Sequence, residues 1–414
     1  MSQSLSAQKR AFLFLQGPCS LLFPRIADRL RNHGHAVHKI NFNSGDVAYW
    51  TPRKALWFRD KLSELPEFLE SVWLKHGISD QILFGDCRPV HKAAALRAEQ
   101  FGVRSYVFDG GYFRPLWITL EREGVNGHSL LPRDPDWFWK TGKRLPEPSA
   151  PQLFQPSFTT QAAHDVLYHL AGLSNPILFP HYKKHVSIMA PIEYAAYLKR
   201  FSLLKLCKHK EAQIISTLLS DKTPFFLLPL QLNSDAQIIN HSHFENMSEV
   251  VEFVMRSFAN HAPKNARLVI KNHPLDMGLV NYQKNIALLA QALDIAERII
   301  YIESGNISAL LAQAAGTVTV NSTSGSAALE LGCPIIALAD PIYNLPGLTF
   351  QGSLDDFWTV RPKPDPELFH CFRKTVMYAT QINGSLYCDY GTKLAAENAA
   401  RVLEVEKSPL EELL

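Results

Sequence analysis

Residues 81–115 read QILFGDCRPVHKAAALRAEQFGVRSYVFDGGYFRP. Residues 81–84 form a short apolar run with the composition of a buried strand, 90–100 read as a helix, and 103–108 form a second strand. Strand–helix alternation of this kind favours a parallel sheet with helices on both faces. Each strand runs straight into polar residues, Gly85-Asp86-Cys87-Arg88 after the first and Asp109-Gly110-Gly111-Tyr112-Phe113-Arg114-Pro115 after the second. In parallel sheets ligands bind outside these carboxyl ends.

The same pattern extends upstream. Residues 11–15 are a strand ending in Gln16-Gly17-Pro18, Leu22–Asn32 has helical spacing through Leu22, Ile26 and Leu30, 36–42 is a strand and 58–75 a helix. Turn chemistry alone accounts for one polar strand end. Three ends carrying acid–glycine or glutamine–glycine with nearby arginines point to a shared cleft. Downstream, 109–136 is dense in reactive groups, with carboxylates at Asp109, Glu121 and Glu123 and cations at Arg114, Arg122, His128 and Arg133. A solvated loop with a short helix is one reading. Tyr112, Phe113, Trp117 and Leu130 are costly to expose and favour a packed loop.

Residues 142–156, rich in proline through Pro156, read as a linker. A long helix is expected at 191–219. A second alternating pattern follows, with strands at 225–230, 267–270, 298–302, 317–320 and 334–338 and helices at 250–262, 282–296, 308–315 and 326–331. Two tail helices are expected at 367–382 and 392–403. The expected organisation is therefore a Rossmann-like domain over 1–145, a linker region over 146–180, a nucleotide-binding Rossmann-like domain over 181–360, and C-terminal helices over 361–414. Two such domains facing a cleft form the GT-B-like α/β outline of many glycosyltransferases, which other two-domain α/β enzymes share.

The 414 residues are 46% hydrophobic and 20% charged, enough for sizeable cores and too apolar for a mainly disordered chain. Lys plus Arg is 42 against 39 for Asp plus Glu, a balance that excludes a dedicated nucleic-acid binder. The six cysteines are scattered without a CxxC pair and read as reduced thiols of a cytosolic protein, with no metal cluster. The N-terminal MSQSLSAQKRAFLFLQG lacks the features of a signal peptide, and no run approaches the ~20 apolar residues of a membrane span. A soluble or peripheral protein is expected.

In the second domain, Asn321-Ser322-Thr323-Ser324-Gly325-Ser326 follows a strand and opens a helix. Hydroxyls and backbone N–H groups at a helix start suit a phosphate, and the alternative is an ordinary helix cap. Lys271-Asn272-His273-Pro274 follows another strand, and Lys271 and His273 can both donate to a phosphate. The Gln231-Leu232-Asn233-Ser234-Asp235 turn supplies amide and carboxylate groups for a base or ribose. Neither GxxxxGK[ST] nor a GxGxxG after the first strand is present, which disfavours a P-loop hydrolase and a classical dinucleotide site.

Four N-terminal segments resemble, in combination, the KpsS family. They are Phe12-Leu13-Phe14-Leu15-Gln16-Gly17-Pro18, Asn41-Phe42-Asn43-Ser44-Gly45-Asp46 with Trp50, Gly85-Asp86-Cys87-Arg88-Pro89 with His91, and Gly111-Tyr112-Phe113-Arg114-Pro115 through Thr119-Leu120-Glu121 and Gly124-Val125-Asn126-Gly127. These are capsule-polysaccharide β-Kdo transferases of Gram-negative bacteria, also called LipB-type capsule modification proteins. The resemblance runs from about residue 10 to about residue 340. It implies a retaining enzyme that moves Kdo from CMP-β-Kdo to a lysophosphatidylglycerol acceptor. No cofactor is implied beyond CMP-Kdo as donor substrate. A KpsC-type partner then extends the linker, and the capsule export machinery is a further expected partner. The implied location is the cytoplasmic face of the inner membrane. The family's CMP-binding histidine–proline pair and Ser/Thr-rich helix start carry over onto His273-Pro274 and Ser322-Thr323-Ser324. Related β-Kdo transferases place two acids before a glycine at a first-domain strand end, the second acid being the proposed nucleophile. Here that place reads Asp109-Gly110-Gly111, so only the first acid is kept.

The chemistry then assigns roles. Lys271, His273 and the helix start stabilise the departing phosphate, and Arg88 or Arg114 holds the Kdo carboxylate. Gln16, Asn126 and His128 complete the substrate side. Gln231, Lys271, His273, Pro274, Ser322, Thr323, Ser324 and Gly325 form the nucleotide side. A carboxylate acts as nucleophile or base, with Asp109 first, Glu121 second, and Asp86 and Asp46 as positioning groups. A sialyltransferase-like or CDP-glycerol-type transferase and a non-catalytic glycolipid-binding export component are the competing readings. Two basic–apolar stretches, His181-Tyr182-Lys183-Lys184-His185 and 197–210, are candidates for membrane contact. On a helix, Leu198, Phe201, Leu204 and Lys205 or Lys208 lie near one edge, and plain packing of that helix on the second domain is the alternative.

Overall fold

The computed structural model describes residues 9–155, 157–183, 190–233, 238 and 241–414. Residues 1–8, Pro156, Lys184, His185, Ser234 and Asp235, used above, lie outside these, as do the side chains of Leu198 and Phe201. The chain forms two compact units, Met1–Leu131 with Leu145–His185 and Lys374–Leu414, and Pro132–Arg144 with Val186–Arg373. In chain order the strands are β1 (Ala11–Phe14), β2 (Ala36–Asn41), β3 (Leu56–Trp57), β4 (Asp80–Phe84), β5 (Arg104–Gly110) and β6 (Trp117–Arg122). They continue as β7 (Phe225–Pro229), β8 (Arg267–Lys271), β9 (Ile299–Ile302), β10 (Gly316–Thr319), β11 (Ile335–Ala337) and β12 (Gln381–Asn383).

The first unit's sheet has the order β12-β6-β5-β4-β1-β2-β3. Strands β1 to β5 are parallel, and β6 and β12 add an antiparallel edge. The second unit's sheet has the order β11-β10-β7-β8-β9 and is parallel throughout. Counted from the first strand of each unit, both parallel cores run fifth, fourth, first, second, third. Both are doubly wound, and chain direction reverses at the β1/β4 gap in one and the β7/β10 gap in the other, the places where ligands bind in such sheets.

Packing follows the two-residue period of the strands. Phe12 and Phe14 join one core with Leu22, Ile26 and Leu30 of helix Leu22–Asn32. Ala11, Leu13 and Leu15 join the opposite core with Leu65, Leu69, Val90 and Ala94. The first core also takes Ala395, Ala396, Ala399, Ala400 and Leu403 of helix Asp389–Glu404. That helix packs on Leu22–Asn32, so the chain's last helices do not stand apart as the expected 361–414 segment. Small alanines at helical spacing let the two helices approach closely.

Four further differences have physical causes. The expected 146–180 linker contains helix Phe158–Ala171, capped by Ser157 accepting from the Thr160 N–H. The helix expected over 58–75 begins only at Leu65, where Pro66 occupies the first turn. The polar 109–136 loop contains β6, and the end of the 367–382 helix is β12, which pairs Gln381 with Thr119. A three-residue edge strand is fixed by its partner rather than by its own sequence. Among the described residues, no helix is long and apolar enough to cross a membrane.

Candidate functional site

Each unit gathers polar groups at the carboxyl ends of its parallel strands. In the first unit, Gly85 at the end of β4 has a left-handed φ of 71°, which glycine adopts without strain. Buried His91 lies with Nδ1 2.6 Å from the Gly85 carbonyl and braces the turn that follows. Asp86 comes next and is 6% exposed. Its Oδ2 accepts from the Val125 N–H at 3.3 Å and from His128 Nδ1 at 2.9 Å.

Asp109 closes β5. Its Oδ1 accepts from the Gly110 N–H at 2.7 Å and its Oδ2 from Asn126 Nδ2 at 3.2 Å. One turn, Asn126–His128, thus holds both Asp86 and Asp109. Burial raises the Asp109 carboxyl above its ordinary value. The Gly110 N–H, Arg114 and Asn126 oppose that shift, and Asp86 adds to it. Burial and the Asp86 carboxylate also push the Cys87 thiol up to about 12. A side chain at Gly110, where related transferases carry the second acid, would begin 2.3 Å from Arg114 Nη2. The Arg114 guanidinium fills that space, and its Nε donates to the Gly111 carbonyl at 3.2 Å.

Glu121 is on β6 and 3% exposed. It accepts from Tyr112 Oη at 2.6 Å and from Ser129 Oγ, while Tyr112 Oη accepts from the Asn126 N–H at 2.7 Å. Glu121 therefore supports the turn that carries Asn126. Asp46 is buried with Lys39, whose Nζ is 3.8 Å from Asp46 Oδ2. The Asp46 carboxylate accepts from the Phe42 N–H at 3.0 Å, and Lys39 donates to the Leu15 and Ile40 carbonyls. Burial raises the Asp46 carboxyl and depresses the Lys39 ammonium to about 8, each opposed by the other. Asp46 is thus brought together with Lys39, while Asp86, Asp109, Asn126 and His128 form a separate group.

Gln16 follows β1 and is 2% exposed. Its Nε2 donates to Tyr168 Oη at 3.1 Å and Tyr182 Oη at 3.0 Å. Arg88 Nη1 donates to the Gly17 carbonyl at 3.1 Å, and its guanidinium lies over the Phe84 ring. Tyr168 falls in the segment expected to be a linker and Tyr182 in the expected second domain, and only the tertiary structure brings them to β1.

In the second unit, Gln231 follows β7 and Asn321 follows β10. Gln231 Nε2 donates to Asn321 Oδ1 at 3.0 Å, and the Asn321 N–H donates to Gln231 Oε1 at 3.3 Å. This double bond clasps the two strand ends on either side of the switch point. Ser322 caps helix Thr323–Glu330, its Oγ accepting from the Ser324 N–H at 3.1 Å. The Ser324 hydroxyl oxygen is buried and has no hydrogen-bond partner among the described residues. A side chain at Gly325 would begin 2.2 Å from Tyr343 Oη, so glycine there admits the tyrosine, which donates to the Ser322 carbonyl at 2.6 Å. Thr323 and Pro274 are exposed.

Lys271 ends β8 and is 5% exposed. Its Nζ donates to the Asn272 carbonyl at 3.3 Å. Burial lowers the Lys271 ammonium, and Glu211 and Glu303 oppose the shift. The same acids anchor helix Ala190–Ser220. Arg200 pairs with Glu303, and Glu211 Oε1 accepts from the Glu303 N–H at 2.7 Å. His273 Nδ1 accepts from the Leu275 N–H at 3.1 Å. The neutral ring therefore carries its proton on Nε2, the nitrogen placed to donate. Asn272 fixes this turn, donating to Asp276 at 3.1 Å and Glu303 at 2.9 Å. Glu211, Glu303 and Tyr343 carry no local sequence signal and are joined to the site only by folding.

A family model described as capsule polysaccharide biosynthesis protein matches residues 79–387. The chain is 36% identical over 395 residues to capsule polysaccharide modification protein LipB of Neisseria meningitidis serogroup B, covering 93% of each chain. It is 34% identical over 386 residues to capsule polysaccharide export protein KpsS of Escherichia coli, covering 92% of this chain and 98% of that one. Among solved structures, Thermosulfurimonas dismutans KpsC, a β-Kdo 2,7 transferase, is similar with a TM-score of 0.44 at 16% identity, covering 95% of this chain and 98% of that one. The chain belongs to the capsule polysaccharide biosynthesis protein family.

Proposed function

We propose that this chain is a retaining β-Kdo transferase that starts a capsule linker by moving Kdo from CMP-β-Kdo to lysophosphatidylglycerol. The observation that carries the reading is the buried Ser324 hydroxyl at the start of helix Thr323–Glu330, without a hydrogen-bond partner among the described residues. A buried hydroxyl without a partner costs free energy that an anionic ligand oxygen recovers. The helix N-terminus adds backbone donors and a favourable dipole, and His273 Nε2–H adds another donor. In this reading the second unit binds CMP, with Gln231 and Asn321 shaping its site and Thr323, Gly325 and Pro274 in its wall. Lys271 contributes from beneath, its charge matched by Glu211 and Glu303.

The first unit supplies the carboxylate. Asp109 acts ionised, either attacking the anomeric carbon as CMP leaves or taking the acceptor proton. Asn126 orients it, Asp86 and His128 hold the turn, and Arg114 or Arg88 takes the sugar carboxylate. Glu121 and Asp46 have supporting roles, and Gln16 acts through Tyr168 and Tyr182. The reading needs no cofactor beyond the donor. The lipid acceptor implies work at a membrane surface, beside KpsC-type and export partners.

The test is donor selection. Purified protein with lysophosphatidylglycerol is offered CMP-Kdo, CMP-sialate and CDP-glycerol, and CMP binding is read by calorimetry. Transfer from CMP-Kdo alone, with CMP binding that weakens in Ser324→Ala, is the expected result. CMP binding with no Kdo transfer moves the protein to another donor, and absence of CMP binding makes it a non-catalytic glycolipid binder.

A further inference from the structure

The segment from Phe158 to Leu178 is amphipathic the wrong way round for a helix that ends at water. Its inward face is polar. Tyr168 Oη accepts from Gln16 at 3.1 Å and from Asn43 Nδ2 at 2.8 Å, and His164 Nδ1 lies 2.7 Å from Tyr49 Oη. Ser174 Oγ donates to Ser44 Oγ at 2.8 Å, and Asn175 Oδ1 accepts from the Ser44 N–H at 2.8 Å. The outward face is apolar. Leu167 is 53% exposed, Leu170 59%, Leu173 70% and Ile177 78%, with Val166, Ala163 and Pro176 also exposed. Positions 166, 170, 173 and 177 repeat at the spacing of one helical stripe. An isolated exposed leucine needs no explanation, but a continuous stripe marks a surface that something covers.

We propose that this stripe is a docking face for an anionic lipid surface. The groups at its C-terminal end select that occupant. Arg59 donates to the Leu178 carbonyl at 2.7 Å and is exposed, as are Lys61, His181 and Lys183, beside the exposed carboxylates Asp60 and Glu64. Within 157–183 the only carboxylate is Asp165, which lies 3.6 Å from His169. An apolar face ending in a basic cluster is the arrangement of helices that lie in the interface of an anionic bilayer. Among the described side chains of the basic stretch 197–210, exposed basic and apolar groups are mixed. Lys205, Leu206, Cys207, Lys208, His209 and Lys210 are all exposed whatever their polarity, while Arg200 is buried on Glu303. The inward contacts of Tyr168, Ser174 and Asn175 fasten the docking face directly over the β1 and β2 strand ends. Bilayer contact would therefore sit beside Gln16 and Asn43. The assignment depends on neither the donor nor the acceptor chemistry proposed above.

The test uses the full chain and sedimentation with vesicles of phosphatidylcholine alone or mixed with phosphatidylglycerol. The wild type is expected to bind the mixed vesicles, and less so as salt rises. The double substitution Leu170→Ser, Leu173→Ser is expected to weaken that binding about tenfold or more. Leu173→Glu serves as an independent variant, and circular dichroism and thermal melting confirm the fold of each. Undiminished vesicle binding by folded variants overturns the proposal. A wild type that ignores vesicles but is a dimer, with variants that are monomers, assigns the stripe to a second copy and overturns it too.

Discussion

The two units share one strand order and differ in what stands at their strand ends. The first unit carries acids at two strand ends, Asp86 and Asp109, and Asp46 in helix Ser44–Trp50 that follows β2, each held by backbone or side-chain donors. The second ends its strands in amides and hydroxyls, Gln231, Asn321, Ser322 and Ser324, beside a histidine fixed as an Nε2 donor. The sheet positions groups and does not choose them. A buried acid such as Asp109, its carboxyl raised by burial, suits reaction at a sugar carbon, and neutral donors at a helix start suit a phosphate already carrying charge. Even within the first unit the acids divide. Asp109 and Asp86 share one turn, whereas Asp46 is locked to Lys39.

The sharpest way to break this division is Asp109→Asn. Kdo transfer is expected to fall by ~10^3-fold, the scale of losing a proton-transfer or nucleophilic group. CMP affinity, measured by calorimetry, is expected to stay as in the wild type, because the proposed reading assigns the nucleotide to the other unit. Near-normal turnover in a folded Asp109→Asn would move the catalytic role to Asp86.

Lys39→Met tests whether Asp46 is a structural acid. Removing one partner of a buried ion pair leaves the other charge unmatched, and stability should drop by about 3 kcal/mol in urea unfolding. An unchanged unfolding midpoint would show that Asp46 does not depend on Lys39. A smaller effect is expected in the second unit. His273→Ala should weaken CMP binding by ~1.5–3 kcal/mol, the contribution of a hydrogen bond to a charged group, with Kdo transfer lost only through binding. Unaltered CMP affinity removes His273 from the phosphate site.

The smallest expected effect concerns pH. Burial holds the Asp109 carboxyl above its ordinary value and Arg114 opposes this. An acid that works ionised gives a rate that rises as pH passes its raised value. Arg114→Gln removes the opposing charge, so the acidic limb of the pH–rate profile should move to higher pH. A limb that stays put would separate Asp109 from the observed titration. For stability the sign is opposite to that of a salt-bridged acid. A carboxyl raised in the fold favours the folded state at low pH, and this contribution is lost as pH rises through its folded value.

Much of the site was legible because it follows strand ends. Gly85-Asp86, Asp109-Gly110 and Ser322-Thr323-Ser324 each sit where an apolar run stops, and local composition marks such places. His273 was legible in the same way, after the strand that ends at Lys271, and resemblance to the family added the missing acid at Gly110. Less legible were roles set by partners distant in sequence. Glu121 ranked second to Asp109 as the reacting carboxylate, and in the fold Tyr112 and Ser129 donate to its oxygens. The burial of Lys271 and the opposing charges of Glu211 and Glu303 were equally invisible in the local sequence.

The sequence by itself determined the alternating α/β architecture, the strand ends that carry polar groups, and membership of the capsule family through its motifs. It determined these because hydrophobic period and turn residues are properties of neighbours along the chain. Only the tertiary structure decided that Asp389–Glu404 closes the first core and that Tyr168 reaches Gln16. It alone turned the apolar side of 158–178 outward. Burial and hydrogen-bond partnership are set by residues that meet in space, across separations that no local pattern encodes.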